Sequence, residues 1–426
     1  MKYKLSTLAN GLRILTVPMP TLESATVTVW VGTGSRFESP EIEGISHFLE
    51  HMVFKGSKKR PSAKQIAEAI DAIGGEFNAA TSKDWTNFYI RSRAAQLETT
   101  MDVLSDMVLN PTLDASDIER EKGVIIEEIA MYEDTPMQNI GNVFEQLIFD
   151  GNQLGQNIAG TAKSVNGITK QDFEDYRKKH YFAKNIVVSV AGGIEQKQVL
   201  ALAQKYFGSL KSDIAQKQKL EMVSNTQTAP AVKLKTKANS EQGHFILGFR
   251  GFPRGHKDKY AEAVLSSILG GGMSSRMFTE IREKRGLAYA VSADSEHYED
   301  TGYFGIYAGV VVSKIDEAIK AILDELYSLA AQKSEISDSE LTKAKEYLKG
   351  HMALALENTK AVNSFFGMKE LLQAKIETPE EVFAGINKVT KEDVYKVASI
   401  LFKPEKLNLA IIGPYKDEGK FVKLLN

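Results

Sequence analysis

An internal repeat limits what this chain can fold into. Ile168-Thr-Lys-Gln-Asp-Phe173 recurs as Val389-Thr-Lys-Glu-Asp-Val394, 221 residues later. Each copy opens a helical stretch that leads to an apolar strand. The strands are Asn185-Ile-Val-Val-Ser-Val-Ala-Gly192 and Leu407-Asn-Leu-Ala-Ile-Ile-Gly413. Upstream, Asn87-Phe-Tyr-Ile-Arg-Ser92 leads into a helix over 95–109. Its counterpart Tyr303-Phe-Gly-Ile-Tyr-Ala308, offset by 216, leads into a helix over 313–329. Both halves read strand, strand, helix, helix, strand, strand, helices, strand. A repeat this long duplicates a whole domain, unlike the short units of a solenoid. Strands that meet in hairpin-like pairs between long helices predict an α+β class. The architecture expected is two homologous domains, each a mainly antiparallel sheet covered by helices.

The stretch 211–231 between the halves is polar, holds one proline at Pro230 and lacks clear periodicity, so it reads as a linker. The domains expected are 1–210 and 232–426, each of comfortable single-domain size. An apolar fraction of 43% with 25% charged residues is that of a globular protein. A net charge of -2 gives no reason to expect nucleic acid or an anionic membrane as partner. No apolar run reaches the length of a membrane span, and Ile186–Ile194 reads as a buried strand. The start runs straight into strand-like Arg13-Ile-Leu-Thr-Val-Pro18 without an apolar signal or Arg-rich transit segment. A cytoplasmic or already processed chain is expected. There are no cysteines, so disulfides, thiolate ligands and a cysteine nucleophile are excluded.

Chemistry concentrates at His47-Phe48-Leu49-Glu50-His51. The segment 44–54 is helical in pattern, with Ser46 placed to help cap it. Residues four apart share a helical face, so His47 and His51 can address one ion. Imidazole is the commonest nitrogen ligand of zinc, and Glu50 on the rim of that face can take a proton from water at the metal. An isolated histidine is more often a satisfied core or surface residue. The second half has no such pair; its matching region is Ala263-Val-Leu-Ser-Ser-Ile-Leu-Gly-Gly271.

A catalytic zinc wants three protein ligands and one open position. The helix expected over 114–132, capped by Asp114, offers Glu121 and Glu128 two turns apart on one face. Val124, Ile125 and Ile126 can pack it on the core. Taken alone, Glu119, Glu121, Glu127 and Glu128 among Arg120 and Lys122 also fit a solvated charged face.

Together these motifs resemble the pitrilysin-like (M16, inverzincin) zinc metallopeptidases, the family of insulin-degrading enzyme and mitochondrial processing peptidase. The resemblance is carried by Gly44-Ile-Ser-His-Phe-Leu-Glu-His-Met-Val-Phe-Lys-Gly56 and by Glu121 and Glu128. Phe77-Asn-Ala-Ala-Thr81, Leu154-Gly-Gln-Asn-Ile-Ala-Gly160 and Ile281-Arg-Glu-Lys-Arg-Gly-Leu-Ala-Tyr289 extend it along the whole chain. The short bacterial processing-peptidase-like members are the nearest in kind. The resemblance implies one Zn2+ in the N-terminal domain held by His47, His51 and Glu128, with Glu127 the competitor for the third place. It implies Glu50 as general base and Glu121 as the carboxylate behind a ligand histidine. Arg282 and Tyr289 match the family's substrate-binding pair; alone they would read as a surface charge and a core aromatic.

The resemblance also implies that Phe77, Asn78, Ala79, Ala80 and Thr81 form an edge strand that pairs with an extended peptide. The implied function is zinc-dependent hydrolysis of short unfolded peptides inside a clamshell. The chain amounts to half a shell, so a homodimer or a heterodimer with a paralogous subunit is expected. The alternative is a noncatalytic scaffold or partner subunit of the same fold, although such relatives typically lose the motif residues. Gly270-Gly271-Gly272 lacks the lysine of a phosphate loop and reads as a connection between helices over 258–269 and 275–285.

Overall fold

The computed structural model describes residues 1–212, 220, 222–224, 226–373 and 375–425. Much of the expected linker, at 213–219, 221 and 225, lies outside the described residues. Among the described residues, eleven strands build two sheets. The first sheet contains β1 (Lys4–Thr7), β2 (Arg13–Pro18), β3 (Ser24–Val31), β4 (Glu76–Thr81), β5 (Thr86–Arg93) and β6 (Ile186–Gly192). The second contains β7 (Ala231–Thr236), β8 (Gln242–Gly251), β9 (Ala288–His297), β10 (Gly302–Val311) and β11 (Asn408–Gly413). Their orders are β1-β2-β6-β3-β5-β4 and β7-β11-β8-β10-β9.

The two orders superpose once β1 is set aside. In each sheet one pair is parallel, β2 with β6 and β7 with β11, and the remaining pairs are antiparallel. The repeated sequence does the same local work in both halves. Thr169 and Asp172 close a capping box on the helix Lys170–His180, and Thr390 and Asp393 close one on Lys391–Leu401. The α+β architecture with two homologous sheet-and-helix domains is therefore as the repeat predicts.

Strand chemistry explains the layering of the first sheet. Side chains alternate between faces. On one face, Ile14, Val27, Val29, Phe88, Ile90, Val188 and Val190 form a core with the helices Ile45–Val53, Leu97–Leu109 and Gln196–Phe207. On the other, Leu15, Val17, Trp30, Val187 and Ala191 pack against Val362 and Phe366 of the helix Thr359–Leu372. All seven residues of β6 are therefore buried. A polar net fixes the second contact. Trp30 Nε1 donates to Ser189 Oγ at 2.8 Å, Ser189 Oγ donates to Asn363 Oδ1 at 2.6 Å, and Asn363 Nδ2 donates to the Thr26 and Ser189 carbonyls.

That helix comes from the second half of the sequence. The compact units are Met1–Ala130, Gln156–Leu220 and Leu354–Pro379 for the first, and Met131–Gly155, Glu221–Ala353 and Glu380–Asn426 for the second. In the second unit, Ile140, Val143, Phe144 and Ile148 of the helix Pro136–Ile148 pack with Ala410 and Ile412 of β11. Each sheet thus borrows one covering helix from the other half, a departure from the simple division at 211–231. Apolar periodicity tells that a helix has a buried face, not which sheet receives it.

Three local details differ from expectation. Gly44, at φ 93°, is the N-cap of the helix Ile45–Val53, and Ser46 lies inside it. Val124 is exposed while Ile125 is buried. The expected helix over 275–285 contains a π-helical turn at Phe278–Lys284. Among the described residues, no helix is long and apolar enough to cross a membrane.

Candidate metal centre

The helix Ile45–Val53 buries Ile45, Phe48, Leu49, Met52 and Val53. Each large apolar side chain fully removed from water contributes roughly 1.5–3 kcal/mol. This burial turns His47, Glu50 and His51 to the opposite side. The Glu38 carboxylate, itself buried, accepts from the Gly44 N–H at 2.7 Å and the Ser46 N–H at 2.8 Å. It does the capping that Ser46 was expected to do. The Ser46 hydroxyl instead meets the Tyr176 hydroxyl at 2.7 Å.

The helix Ala115–Asp134 supplies the carboxylates. Asp114 Oδ1 accepts from the Ser116 N–H at its start, as the sequence predicts. Ile118, Glu121, Ile125 and Ile129 form the buried face, and Glu128 lies on its border. Glu127 is exposed.

Donor atoms of His47, His51 and Glu128 all lie within 4.8 Å of one another. The separations are 3.3 Å between the two Nε2 atoms, 3.5 Å from His51 Nε2 to Glu128 Oε2, and 3.7 Å from His47 Nε2 to Glu128 Oε1. Ligands about 2.05 Å from a tetrahedral zinc would be about 3.3 Å apart. The three donors fit such an ion with little adjustment. His51 Nδ1 donates to Glu121 Oε1 at 2.9 Å, which leaves Nε2 as the ring atom that would meet an ion once its own proton is displaced. His47 Nδ1 is buried with no hydrogen-bond partner among the described residues.

The electrostatics follow from burial and charge. Burial, followed by the neighbouring His51, pushes His47 below the usual histidine range, against the pull of Glu128. Burial also works against a charged His51, but Glu121 and Glu128 outweigh it and raise the group to about 9. Burial pushes Glu121 upward, and hydrogen bonds from His51 and Lys55 reverse the sign and hold it low. Glu128 is held low chiefly by His51. Glu50 is raised above the usual carboxylate range by burial, although Thr81 Oγ1 donates to its Oε2 at 2.6 Å.

Thr81 ends β4, which among the described residues is an edge strand paired with β5 alone. The β4 residues Phe77, Ala79 and Thr81 are half-buried, while Asn78 and Ala80 are exposed. The Ala79 N–H is met by Asn78 Oδ1 at 2.8 Å, so it points away from the ladder. The strand presents an open edge whose last residue holds Glu50.

The sequence pattern of the insulinase family (peptidase family M16) matches residues 13–162, and that of the M16 inactive domain matches 167–348. An uncharacterized zinc protease of Streptomyces coelicolor is 38% identical over 97% of this chain and 90% of its own length. The chain belongs to peptidase family M16. A second uncharacterized zinc protease, from Bacillus subtilis, is 38% identical over 96% of this chain and 97% of its own length. Among solved structures, a protease from Helicobacter pylori superposes with a TM-score of 0.91 at 26% identity, over 96% of this chain and 99% of that one.

In this M16 chain, the motif residues fall into two groups. His47, Glu50, His51, Thr81, Glu121 and Glu128 lie together in the first unit. Arg282 and Tyr289 belong to the second unit and meet each other, with the guanidinium 5.2 Å from the tyrosine ring centre. Tyr289 is 75% exposed, which excludes the core-aromatic reading. Gly272, at φ 106°, turns the chain between the helices Lys259–Gly270 and Phe278–Lys284. Glu38 and Lys55 are site residues the sequence reasoning missed. Lys55 follows His51 by one helical turn, a visible signal; Glu38 has none, because its contacts are made by a loop.

Proposed function

We propose that the chain is a zinc-dependent endopeptidase that hydrolyses short unfolded peptides. The observation that carries this is the His47, His51, Glu128 triangle with donor spacings suited to tetrahedral zinc, beside a half-buried carboxylate at Glu50. Zinc, when bound, supplies a Lewis acid that polarises the scissile carbonyl and makes water acidic enough to attack. Glu50 takes the proton from the attacking water and returns it to the leaving amine. Thr81 occupies one oxygen of Glu50 and leaves the other to accept the proton. The open edge of β4 pairs with an extended substrate backbone, so side-chain preference is loose. Arg282 and Tyr289 hold the substrate near the scissile bond, and Tyr289 donates to its developing oxyanion.

The protein acts as a homodimer, or with a paralogous subunit, as two half-shells around the peptide. The Arg282/Tyr289 pair of one chain completes the site of the other. The noncatalytic scaffold reading is disfavoured because the complete ligand set and Glu50 are retained. The test is cleavage of a quenched fluorescent peptide library by purified protein, with and without a zinc chelator, beside Glu50→Gln. Chelator-sensitive cleavage that Glu50→Gln abolishes while keeping its zinc supports the proposal. Unchanged cleavage by Glu50→Gln refutes the role of Glu50. Mixing Glu50→Gln with Tyr289→Phe chains tests the shared site: no recovery of activity despite subunit exchange rules it out.

A further inference from the structure

Glu121 is held at both ends. Its Oε1 accepts from His51 Nδ1 at 2.9 Å and its Oε2 accepts from Lys55 Nζ at 2.6 Å. The Glu121 side chain is only 5% exposed, and that of Lys55 is 30% exposed. A buried carboxylate with one oxygen unsatisfied carries a desolvation cost and is free to rotate. Lys55 removes both problems. It lies four residues after His51, just past the end of the helix that carries both histidines. One short segment therefore supplies the ligand, and the cation that holds the ligand's supporting carboxylate.

The charges make the same point. A divalent ion with ionised Glu128, Glu121 and Glu50 would leave the site one negative charge in excess. The ammonium of Lys55 restores balance where solvent screening is weak. His47 has no matching support, since its Nδ1 is without a partner among the described residues. The orientation of the histidine pair thus depends on one supported ring.

We propose that Lys55 is a positioning residue for the metal centre. It holds the Glu121 carboxylate where its other oxygen accepts from His51 Nδ1, so that His51 Nε2 would be left to hold the ion. The proposal rests on the zinc-peptidase reading, and its test is separable from it because the readout is zinc affinity.

Zinc affinity is measured by competition with a chromophoric chelator for wild type, Lys55→Met, Lys55→Gln and Lys55→Arg, and for Glu121→Gln alone and with Lys55→Met. Supporting carboxylates around ligand histidines typically change affinity about 10- to 100-fold. Lys55→Met and Lys55→Gln should weaken binding about tenfold, while Lys55→Arg, which keeps a cation and donors, stays within about threefold of wild type. In the Glu121→Gln background, Lys55→Met should add less than about twofold, because the two residues act through one contact. A helix-end role unrelated to Glu121 would instead give the same loss in both backgrounds and overturn the proposal. Wild-type affinity in both Lys55→Met and Lys55→Gln would also overturn it. A wild-type protein that binds no zinc would sink the peptidase reading itself.

Discussion

Raising the pH from 6 to 8 should tighten zinc binding about 100-fold, because the metal must displace one proton from His51. In the metal-free site, His51 faces Glu121 at 2.9 Å and Glu128 at 3.5 Å, and these carboxylates raise it to about 9. His47 is pushed the other way by burial and is neutral at these pH values. Glu128 is held low and is already ionised. One of the three proposed ligand atoms therefore carries a proton across this range. Each pH unit below the His51 value costs a factor of ten in apparent affinity, about 1.4 kcal/mol. Above about pH 9 the dependence should flatten. The assay is chelator competition at several pH values, corrected for protonation of the chelator. Calorimetry at pH 7 in buffers of different ionisation heat should give one proton released per zinc. Glu121→Gln removes a cause of the shift, so its affinity should level off at lower pH. The linked sign for stability is fixed: a histidine raised above 6.5 stabilises the metal-free fold below that value. This contribution, about 3 kcal/mol, is lost as pH rises toward 9. A pH-independent zinc affinity with no proton released would refute the reasoning.

Other perturbations probe the scaffold around the site. Glu38→Ala leaves the Gly44 and Ser46 N–H groups buried without their acceptor and should destabilise the fold by about 2–4 kcal/mol; an unchanged urea midpoint would show that the cap is dispensable. Ala79→Pro removes an N–H that points away from the β5 ladder, a position where an edge strand tolerates proline. It should raise KM for peptides and leave zinc content intact, whereas loss of zinc would argue against a substrate-pairing role. Gly367→Ala places a Cβ 2.3 Å from Trp30 Nε1, which hydrogen bonding to Ser189 holds in place. The helix Thr359–Leu372 would have to lift from the sheet, at a cost of about 2 kcal/mol. A wild-type melting temperature would show that this contact yields.

Much of the centre was legible because it is local. His47, Glu50 and His51 occupy one helical turn and a bit, and helical period alone places the histidines together. Glu121 and Glu128 were legible as a face, but the alternation of acids and bases along 119–128 by itself favours a solvated face. The seven-residue spacing from Glu121 already favours Glu128 over Glu127, and packing agrees, burying Ile125 and Ile129 and leaving Glu127 in water. Glu38 could not be found, since a capping carboxylate that arrives from a loop leaves no periodic trace.

The sequence by itself determined the duplication, which shows as two similar runs of elements, and the histidine pair, which depends on residues close in the chain. The tertiary structure alone decided what depends on distant residues. It placed Glu121 between His51 and Lys55, tied Thr81 to Glu50, and gave each sheet a helix from the opposite half. Helical and strand periods report that a side chain faces inward. Which partner it meets there is decided by the packing of whole faces, where shape and buried polar contacts such as Asn363 select one sheet over another.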